Sequence, residues 1–335
     1  MTRNDNTDFY RGRNILVTGG AGAVGGSLAR VLGELGAIVT VLDDFSSAER
    51  WNSSTGKHLR LVEGDLLDPP VLENAFADCP AVVFHLAAFF ANQNSIEHPE
   101  DDLMVNGMGV LRVLLAAEKL NNMRVVFASS GSAFKDANSP LPLSEDYVTV
   151  HLSTPYQVTK MLGELYCNYF HDSRRAETVR VRFFNSYGPG EIPSVYRNVI
   201  PNFFYRALQG HSLQITGDGG ETRDFTFVDD IVNGLLRAGS APDAAGEAFN
   251  LGSGQETRID DLADMINGIC KNKAEIEFLP RREWDVEDRR VASVEKASRV
   301  LGYHASTKLE DGLARTFEWF QDNWDNICRS ANFAE

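Results

Sequence analysis

A tyrosine and a lysine stand four residues apart in the segment Tyr156-Gln157-Val158-Thr159-Lys160. A helical pattern begins at Pro155, so both side chains project from one face of one helix. A phenol titrates near pKa ~10, but a neighbouring ammonium lowers its pKa by stabilising the phenolate. Tyr156 is therefore a candidate base and Lys160 its charge partner. The plain alternative is a surface pair, which this spacing often gives by chance.

Hydroxyl side chains follow the apolar run Arg124-Val125-Val126-Phe127-Ala128, in the segment Ser129-Ser130-Gly131-Ser132. A serine at the end of a strand can hydrogen-bond the same substrate oxygen as the tyrosine and complete a proton relay. Ser130 is the predicted catalytic hydroxyl, and Ser132 a predicted substrate contact.

Three glycines recur at every third position after the apolar run 14–18. Such a turn lets the backbone approach a pyrophosphate without an intervening Cβ, and the following helix favours an anion at its first turn. The alternative is a glycine-rich turn that binds nothing. The predicted phosphate-binding residues are Gly19, Gly22, Ala23, Val24 and Gly25.

An acidic residue, Asp43, ends the second apolar run, roughly 20 residues beyond the glycines. A carboxylate at this point can accept from the adenosine ribose diol and would repel a 2′-phosphate, which favours NAD over NADP. After the third run, Asp65 either accepts from the adenine amino group or caps the helix that begins near Pro69. Further cofactor contacts are expected from Leu66, Leu86, Ala87 and Ala88, while His85 is interpreted as structural.

Five apolar runs alternate with helical patterns over the first half of the chain, which predicts an α/β fold with a doubly wound parallel sheet. Ligands bind such sheets at the carboxyl ends of the strands, where all these residues fall. The predicted strands are 14–18, 37–42, 58–63, 81–86, 124–128 and 213–215, with another near 223–225. The predicted helices are 99–120, 155–171, 200–208, 229–238, 259–270, 294–301 and 309–324.

The 335 residues carry a formal net charge of −15, which disfavours nucleic acid and anionic membranes as partners. Any anionic ligand must therefore meet locally placed cations. The four cysteines lack disulfide or metal-ligand spacing, so no metal site is expected. The chain shows no apolar signal core and no membrane-length run, and residues 1–12 are interpreted as a polar leader, so a cytoplasmic protein is expected.

The chain resembles the extended short-chain dehydrogenase/reductase family of NAD-dependent nucleotide-sugar epimerases and dehydratases over roughly residues 13–325. The matching segments are Thr18-Gly19-Gly20-Ala21-Gly22, Phe84-His85-Leu86-Ala87-Ala88, Tyr156-x-x-x-Lys160, residues 182–189, residues 217–225, Val228-Asp229-Asp230 and Asn250-Leu251-Gly252-Ser253-Gly254. The resemblance implies an NAD-binding Rossmann core over 13–185 and a smaller α/β substrate lobe, mainly 186–330, with about 225–255 returning to the core.

The same resemblance implies how a nucleotide sugar is held. It places Asn185 on the pyrophosphate, Arg223 and Arg282 as phosphate-binding cations, and Asp285 on the uridine ribose. The sequence departs from the family at Glu283-Trp284, where Pro-Gly is usual, and at Ala292-Ser293, where Ala-Asp is usual. For Arg281-Arg282 and for Arg289-Arg290, the alternative is a solvated basic patch.

The family's shared first step is oxidation of the sugar at C4. Its 4,6-dehydratases carry Asp-Glu directly after the catalytic hydroxyl and its decarboxylases a Glu at the position of Ser132, whereas this chain has Gly131-Ser132. The prediction is a 4-epimerase of a UDP-hexose or UDP-hexuronic acid. The alternatives are a UDP-glucuronate decarboxylase or 4,6-dehydratase that uses Glu145 or Glu191, and, from another class, a non-catalytic NAD-sensing protein.

Apolar residues cover more than one face of the helices predicted at 99–120 and 155–171. Burial against the sheet explains one face of each. The family resemblance adds a dimeric four-helix contact for the other, so a homodimer is expected. The residues concerned are Leu111, Leu114, Leu115, Met161, Leu162 and Leu165.

Overall fold

The computed structural model describes residues 8–54, 56–120, 123–134, 139–285 and 288–333. Its strands are β1 (Asn14–Thr18), β2 (Ile38–Asp43), β3 (Leu59–Glu63), β4 (Val82–His85), β5 (Arg124–Ser130), β6 (Glu177–Phe183), β7 (Ser186–Tyr187), β8 (Gln214–Thr216), β9 (Thr222–Arg223), β10 (Thr226–Phe227), β11 (Ala248–Leu251), β12 (Thr257–Arg258) and β13 (Glu277–Leu279).

Seven strands form one parallel sheet in the order β11-β6-β5-β4-β1-β2-β3. This confirms the predicted doubly wound α/β fold. The reversal of strand order beside β1 opens a crevice at the carboxyl ends of β1 and β4, where such sheets bind ligands. Strands β6 and β11 were not predicted from the sequence.

The helices are α1 (Ala23–Glu34), α2 (Pro69–Phe76), α3 (Asn92–Glu97), α4 (Pro99–Asp102), α5 (Gly109–Lys119), α6 (Pro155–Arg174), α7 (Val199–Leu208), α8 (Val228–Ser240), α9 (Ile259–Cys270), α10 (Leu309–Asp322) and α11 (Trp324–Ser330). A π-helical segment, Leu103–Met108, joins α4 to α5, so the single helix predicted over 99–120 changes its winding midway. A second π-helical segment, Ala297–Leu301, lies within the helix predicted at 294–301.

The two faces of the sheet are covered by different helices because neighbouring strand residues point in opposite directions. Val17 packs in a cluster with residues of α1 and α8, while the adjacent Leu16 packs with residues of α2, α5 and α6. Both faces are therefore buried, which is why the central strands are apolar almost throughout.

The second half of the chain builds its own core and also returns to the sheet. Helices α7, α9 and α10 pack around Phe203, Phe204 and Phe320. Helix α8 and strand β11 lie with the sheet instead, β11 pairing with β6. The short strands pair as β8 with β13, β9 with β12 and β7 with β10.

Part of the predicted polar leader, residues 1–12, packs into the interior of the protein. Residues 1–7 lie outside the described residues, but Tyr10 is fully buried and its hydroxyl donates to the Leu236 carbonyl over 2.7 Å. A single aromatic residue gives no periodicity, so the sequence offered no sign of this packing. Within the described ranges, no helix is long and apolar enough to cross a membrane.

Candidate active site

A cleft lies at the carboxyl ends of the central strands and continues onto the second half of the chain. Many of the residues predicted for the site line it together. They are Gly19, Gly22, Ala23, Val24, Gly25, Asp43, Leu86, Ala87, Ala88, Ser130, Ser132, Tyr156, Lys160 and Asn185.

The glycine turn is packed so closely that side chains cannot replace two of its glycines. Gly19 has a φ of +68°, and a Cβ there would lie 2.6 Å from the Ala87 nitrogen. A Cβ at Gly25 would lie 2.1 Å from the Gly19 carbonyl oxygen. The turn therefore brings the start of α1 against β1 and leaves backbone at the surface of the cleft, as a phosphate cradle requires.

Asp43 ends β2 beside this turn, and both of its carboxylate oxygens accept backbone amides. Oδ2 accepts from Ala21 and Oδ1 from Phe45, each over 2.9 Å. Burial raises the pKa of this carboxyl, and the two amide hydrogen bonds oppose the shift. Each oxygen keeps lone-pair capacity for a ribose hydroxyl.

Ser130, at the end of β5, lies beside Tyr156 of α6 and lowers the pKa of its phenol. The Ser130 and Ser132 hydroxyl oxygens are 2.9 Å apart. Lys160 lies one turn after Tyr156, with its Nζ 5.5 Å from the tyrosine ring centroid and donating to the Ala128 carbonyl over 3.0 Å. Hydroxyl, phenol and ammonium thus meet at one end of the cleft.

The ionisation of Tyr156 differs from the sequence-based expectation. Burial, and then the Asp102 carboxylate, raise its pKa, while the Ser130 hydrogen bond lowers it. Burial lowers the pKa of Lys160 to about 8, and Asp102 opposes that shift. The pKa of Tyr156 is therefore raised in the protein without cofactor or substrate, not lowered as expected, and burial is the largest cause.

The start of α6 is fixed by a capping box. The Thr154 hydroxyl accepts from the Gln157 amide, and the Gln157 side chain accepts from the Thr154 amide. The Nε2 group of the same glutamine donates a hydrogen bond to the Ser132 carbonyl over 3.0 Å. One side chain therefore ties the helix of Tyr156 to the segment of the two serines.

His85 lies in the interior of the protein, where a structural role is expected of it. It is buried, and its Nδ1 lies 2.7 Å from the Thr18 hydroxyl. Burial, and then the charge of Lys160, lower the pKa of His85 to about 3, so the ring is neutral at physiological pH.

Two predicted adenosine contacts lie away from the cleft lining. Asp65 is exposed, and its Oδ1 accepts from the Leu67 amide over 2.7 Å, which closes the turn before α2. Leu66 is buried in the core beneath α5. Asp65 does not cap α2, whose N-cap residue is Asp68, and its expected contact with the adenine stays a prediction.

The two predicted phosphate cations also lie outside the cleft lining. Arg223 Nη2 lies 3.0 Å from both carboxylate oxygens of Asp285, so these two predicted substrate residues pair with each other. Arg282 is exposed, its guanidinium 5.7 Å from the ring centroid of Trp284. The Trp284 indole in turn donates to Gln93 of α3 over 2.7 Å.

Other side chains line the cleft that the sequence did not assign to it. Arg197 and Arg290 bring positive charge, and Phe90 packs edge-on against Tyr156 at 6.1 Å. Glu191 had been considered only as an alternative acid. Asn185, a predicted substrate contact, has a φ of 26° and a buried Oδ1 without a hydrogen-bond partner among the described residues.

A dinucleotide cradle and a serine–tyrosine–lysine group share this cleft, which defines an enzyme that works on a substrate beside a bound dinucleotide. Residues 15–252 match the model of the NAD dependent epimerase/dehydratase family, and the chain belongs to that family. The cofactor is therefore NAD, and the residues fit it: the turn has backbone where a Cβ would collide, and Asp43 faces the cleft.

Curated relatives cover nearly the whole chain. A UDP-glucose 4-epimerase of Mycolicibacterium smegmatis is 34% identical over 92% of this chain and 98% of its own length. A UDP-N-acetyl-alpha-D-glucosaminuronate decarboxylase of Bacillus cytotoxicus is 29% identical over 92% of this chain and 98% of its own. The relatives thus include both epimerases and decarboxylases.

Solved structures also match nearly the whole chain. Epimerase Mth375 from Methanothermobacter thermautotrophicus is 49% identical, with a TM-score of 0.97 and 98% of each chain covered. The Bordetella bronchiseptica enzyme WbmF, in complex with NAD+ and UDP, is 37% identical, with a TM-score of 0.85 and 96% of each chain covered.

Proposed function

We propose that the protein is an NAD-dependent 4-epimerase of a UDP-hexose or UDP-hexuronic acid. This proposal rests on the group formed by Ser130, Tyr156 and Lys160. The residue beside this group, Ser132, carries a hydroxyl. Without a carboxylate at that position, a 4-keto sugar lacks the residue with which related enzymes proceed to elimination or decarboxylation, and its simplest fate is reduction on the other face.

In this mechanism the Tyr156 phenolate takes the proton of the sugar C4 hydroxyl, while Ser130 hydrogen-bonds the same oxygen. NAD supplies the hydride acceptor and donor. Lys160 stabilises the phenolate and, through its remaining N–H groups, orients the nicotinamide ribose. Once the 4-keto sugar has turned its opposite face toward the cofactor site, Tyr156 would return the proton to the C4 oxygen.

Positive charge for the UDP moiety must come from the cleft. Arg290 lines it, whereas Arg223 lies outside its lining. We therefore assign Arg290 to the substrate phosphates and Asn185 to the same region. Arg223 and Asp285, which pair with each other, remain predicted contacts of the nucleotide.

We also propose a homodimer. The helices that run from Pro99 to Lys119 and α6 contact each other and leave apolar side chains exposed. A second copy that covers this face would form a four-helix contact and remove a large apolar patch from water. The exposed side chains are Leu103, Met104, Leu115, Val158, Leu165 and Tyr169.

The activity is tested by incubating the NAD-loaded protein with UDP-glucose, UDP-N-acetylglucosamine and UDP-glucuronic acid, and identifying products by NMR and mass spectrometry. An epimer of unchanged mass is expected from at least one of them. Loss of carbon dioxide or of water would instead establish the decarboxylase or dehydratase alternative.

Tyr156→Phe is the matched control for this experiment. It removes only the phenolic oxygen, so NAD should remain bound while turnover falls by about 10²-fold or more. Wild-type protein that binds NAD and UDP-sugars yet converts none of them would favour the non-catalytic NAD-binding class.

A further inference from the structure

Residues 190–198, called here the crossing segment, contribute to the cleft lining and hydrogen-bond to side chains on both sides of the cleft. Near α1, Asn52 Nδ2 donates to the Gly190 carbonyl over 2.8 Å. Near α3, the Tyr196 hydroxyl donates to Glu97 over 2.6 Å. The segment therefore has a defined position above the cleft.

The crossing segment comes close to the phosphate end of the cleft. A Cβ built on Gly190 would lie 3.3 Å from Cα of Ala23, the first residue of α1. The amide groups of this first turn form the phosphate cradle. Side chains that follow Gly190 can therefore reach an anion held there.

Arg197 is the cation of this segment, and its contacts locate it. Nη2 donates to the carbonyl of Ser47, which follows β2, over 2.7 Å. The guanidinium carbon lies 5.8 Å from the ring centroid of Phe90, which follows β4. Because β1 lies between β2 and β4, an arginine that contacts both flanking loops lies across the end of β1, above the glycine turn.

The charge of Arg197 is not neutralised by an ion pair with any carboxylate of the described residues. Arg197 acts electrostatically on Glu191, which is buried and accepts from Asn198 Nδ2 over 3.0 Å. Burial raises the pKa of Glu191 to about 7, and Arg197 opposes that shift. In a chain of net charge −15, an arginine placed in a cleft without a paired carboxylate indicates an anionic ligand.

We propose that Arg197 binds the pyrophosphate of NAD, on the side opposite the first turn of α1. The pyrophosphate would then be held between backbone amides below and a guanidinium above. A guanidinium is suited to this because its planar N–H groups can donate to two phosphate oxygens at once.

The UDP of the substrate is the competing ligand for Arg197. Arg290 also lines the cleft and offers a separate cation for it. The loops that Arg197 contacts flank the glycine turn, so its place in the fold favours the cofactor.

The test is release of bound NADH from the full-length protein, chased with excess NAD and followed by NADH fluorescence. Arg197→Met should release NADH about tenfold faster or more, since a charge-assisted hydrogen bond is lost. Arg197→Lys, which keeps the charge, should stay within about threefold of wild type. Release from the wild type should quicken with added salt, and that dependence should weaken in Arg197→Met.

Two controls separate the alternatives. Tyr196→Phe loosens the crossing segment without changing charge and should release NADH at nearly the wild-type rate; if it matches Arg197→Met, the segment acts only as a cover and the proposal is wrong. If Arg197→Met leaves NADH release unchanged but weakens binding of UDP to the NAD-loaded protein, Arg197 belongs to the substrate. Because no sugar turnover is measured, the result is independent of the proposed epimerase activity.

Discussion

Thr159 donates its hydroxyl to the buried carboxylate of Asp102 over 2.7 Å, and Asn106 donates to the other carboxylate oxygen over the same distance. Thr159 immediately precedes Lys160, so these hydrogen bonds fix a negative charge beside the catalytic group. That charge raises the pKa of both Tyr156 and Lys160. Asp102 touches no reacting atom and acts as a positioning residue.

Replacing Asp102 by Asn should shift the activity profile to lower pH. Without the carboxylate, the pKa of Tyr156 falls, so the phenolate forms at lower pH and the rising limb of kcat moves to lower pH. The measurement is kcat against pH with whichever UDP-sugar proves to be the substrate. Asp101→Asn, an exposed neighbour, is the control and should not move the limb. A shift to higher pH in Asp102→Asn would contradict this role.

The packing of α6 on β5 gives a second prediction. A Cβ on Gly163 would lie 2.4 Å from Cζ of the buried Phe127, so Gly163→Ala forces helix and strand apart. We expect a loss of about 1–3 kcal/mol in unfolding free energy, and a lower kcat because Tyr156 and Ser130 lie on these two elements. Denaturant unfolding measures the first effect and steady-state kinetics the second.

Gly33→Ala is the matched control for that substitution. It also lies within a helix, α1, but a Cβ there would meet nothing within 4 Å. It should stabilise the protein by about 0.5–1 kcal/mol, through the helix propensity of alanine alone. Equal effects of the two substitutions would show that the contact with Phe127 does not matter.

The cofactor end of the site was predictable because its signals are local. The glycine turn, Asp43 and the Tyr156–Lys160 spacing each lie within one strand–turn or one helix, so the pattern in the chain is already the pattern in space. Their common position at the carboxyl ends of parallel strands then follows from the fold class. The structure brings these residues to one cleft as expected.

Which arginines line the cleft was not predictable in the same way. Several arginines stand on loops of the second half, and which of them faces the cleft depends on tertiary partners. Arg223 is bound to Asp285 and Arg282 lies over Trp284, while Arg197 faces the cleft from a segment without any motif. No spacing rule distinguishes these outcomes.

Strand β6 was not predicted from the sequence, for a related reason. In its sequence, Glu177–Phe183, the charged residues Arg180 and Arg182 stand between apolar residues, and this pattern indicates a surface segment. In the fold, Arg182 forms a buried ion pair with Glu164 of α6, with Nε 2.8 Å from the carboxylate. Only the partner helix makes those charges compatible with an interior strand.

The ionisation of Glu191 predicts how stability depends on pH. Its pKa rises from 4.5 to about 7 on folding, because the carboxyl is buried. Between these values the folded chain binds more protons than the unfolded chain, so this group makes stability fall as pH rises through that window. Glu191→Gln cannot ionise and should be more stable than wild type at about pH 8, by up to about 3 kcal/mol, and nearly equal at about pH 4.

Chemical unfolding at the two pH values measures this difference. Glu318→Gln is the control, since it makes the same chemical change on the exposed surface of α10. A Glu191→Gln protein that is less stable than wild type at both pH values would mean that the carboxylate is favourably paired when ionised. The pKa of Glu191 would then not be raised in the folded protein.

The exposed apolar face of the Pro99–Lys119 helices and α6 gives the last prediction. Leu165 is 57% exposed on α6 and lies at the proposed contact between two copies. In a two-fold symmetric contact each substitution occurs twice, so Leu165→Glu would bury two carboxylates against apolar surface. Wild-type protein should show twice the 37.0 kDa chain mass by light scattering, and Leu165→Glu the mass of one chain.

The control is Val150→Glu, because Val150 is 80% exposed in the loop before α6, and this variant should remain dimeric. A wild-type mass of one chain at micromolar concentration would contradict the dimer, and a Leu165→Glu dimer would place the contact on another face.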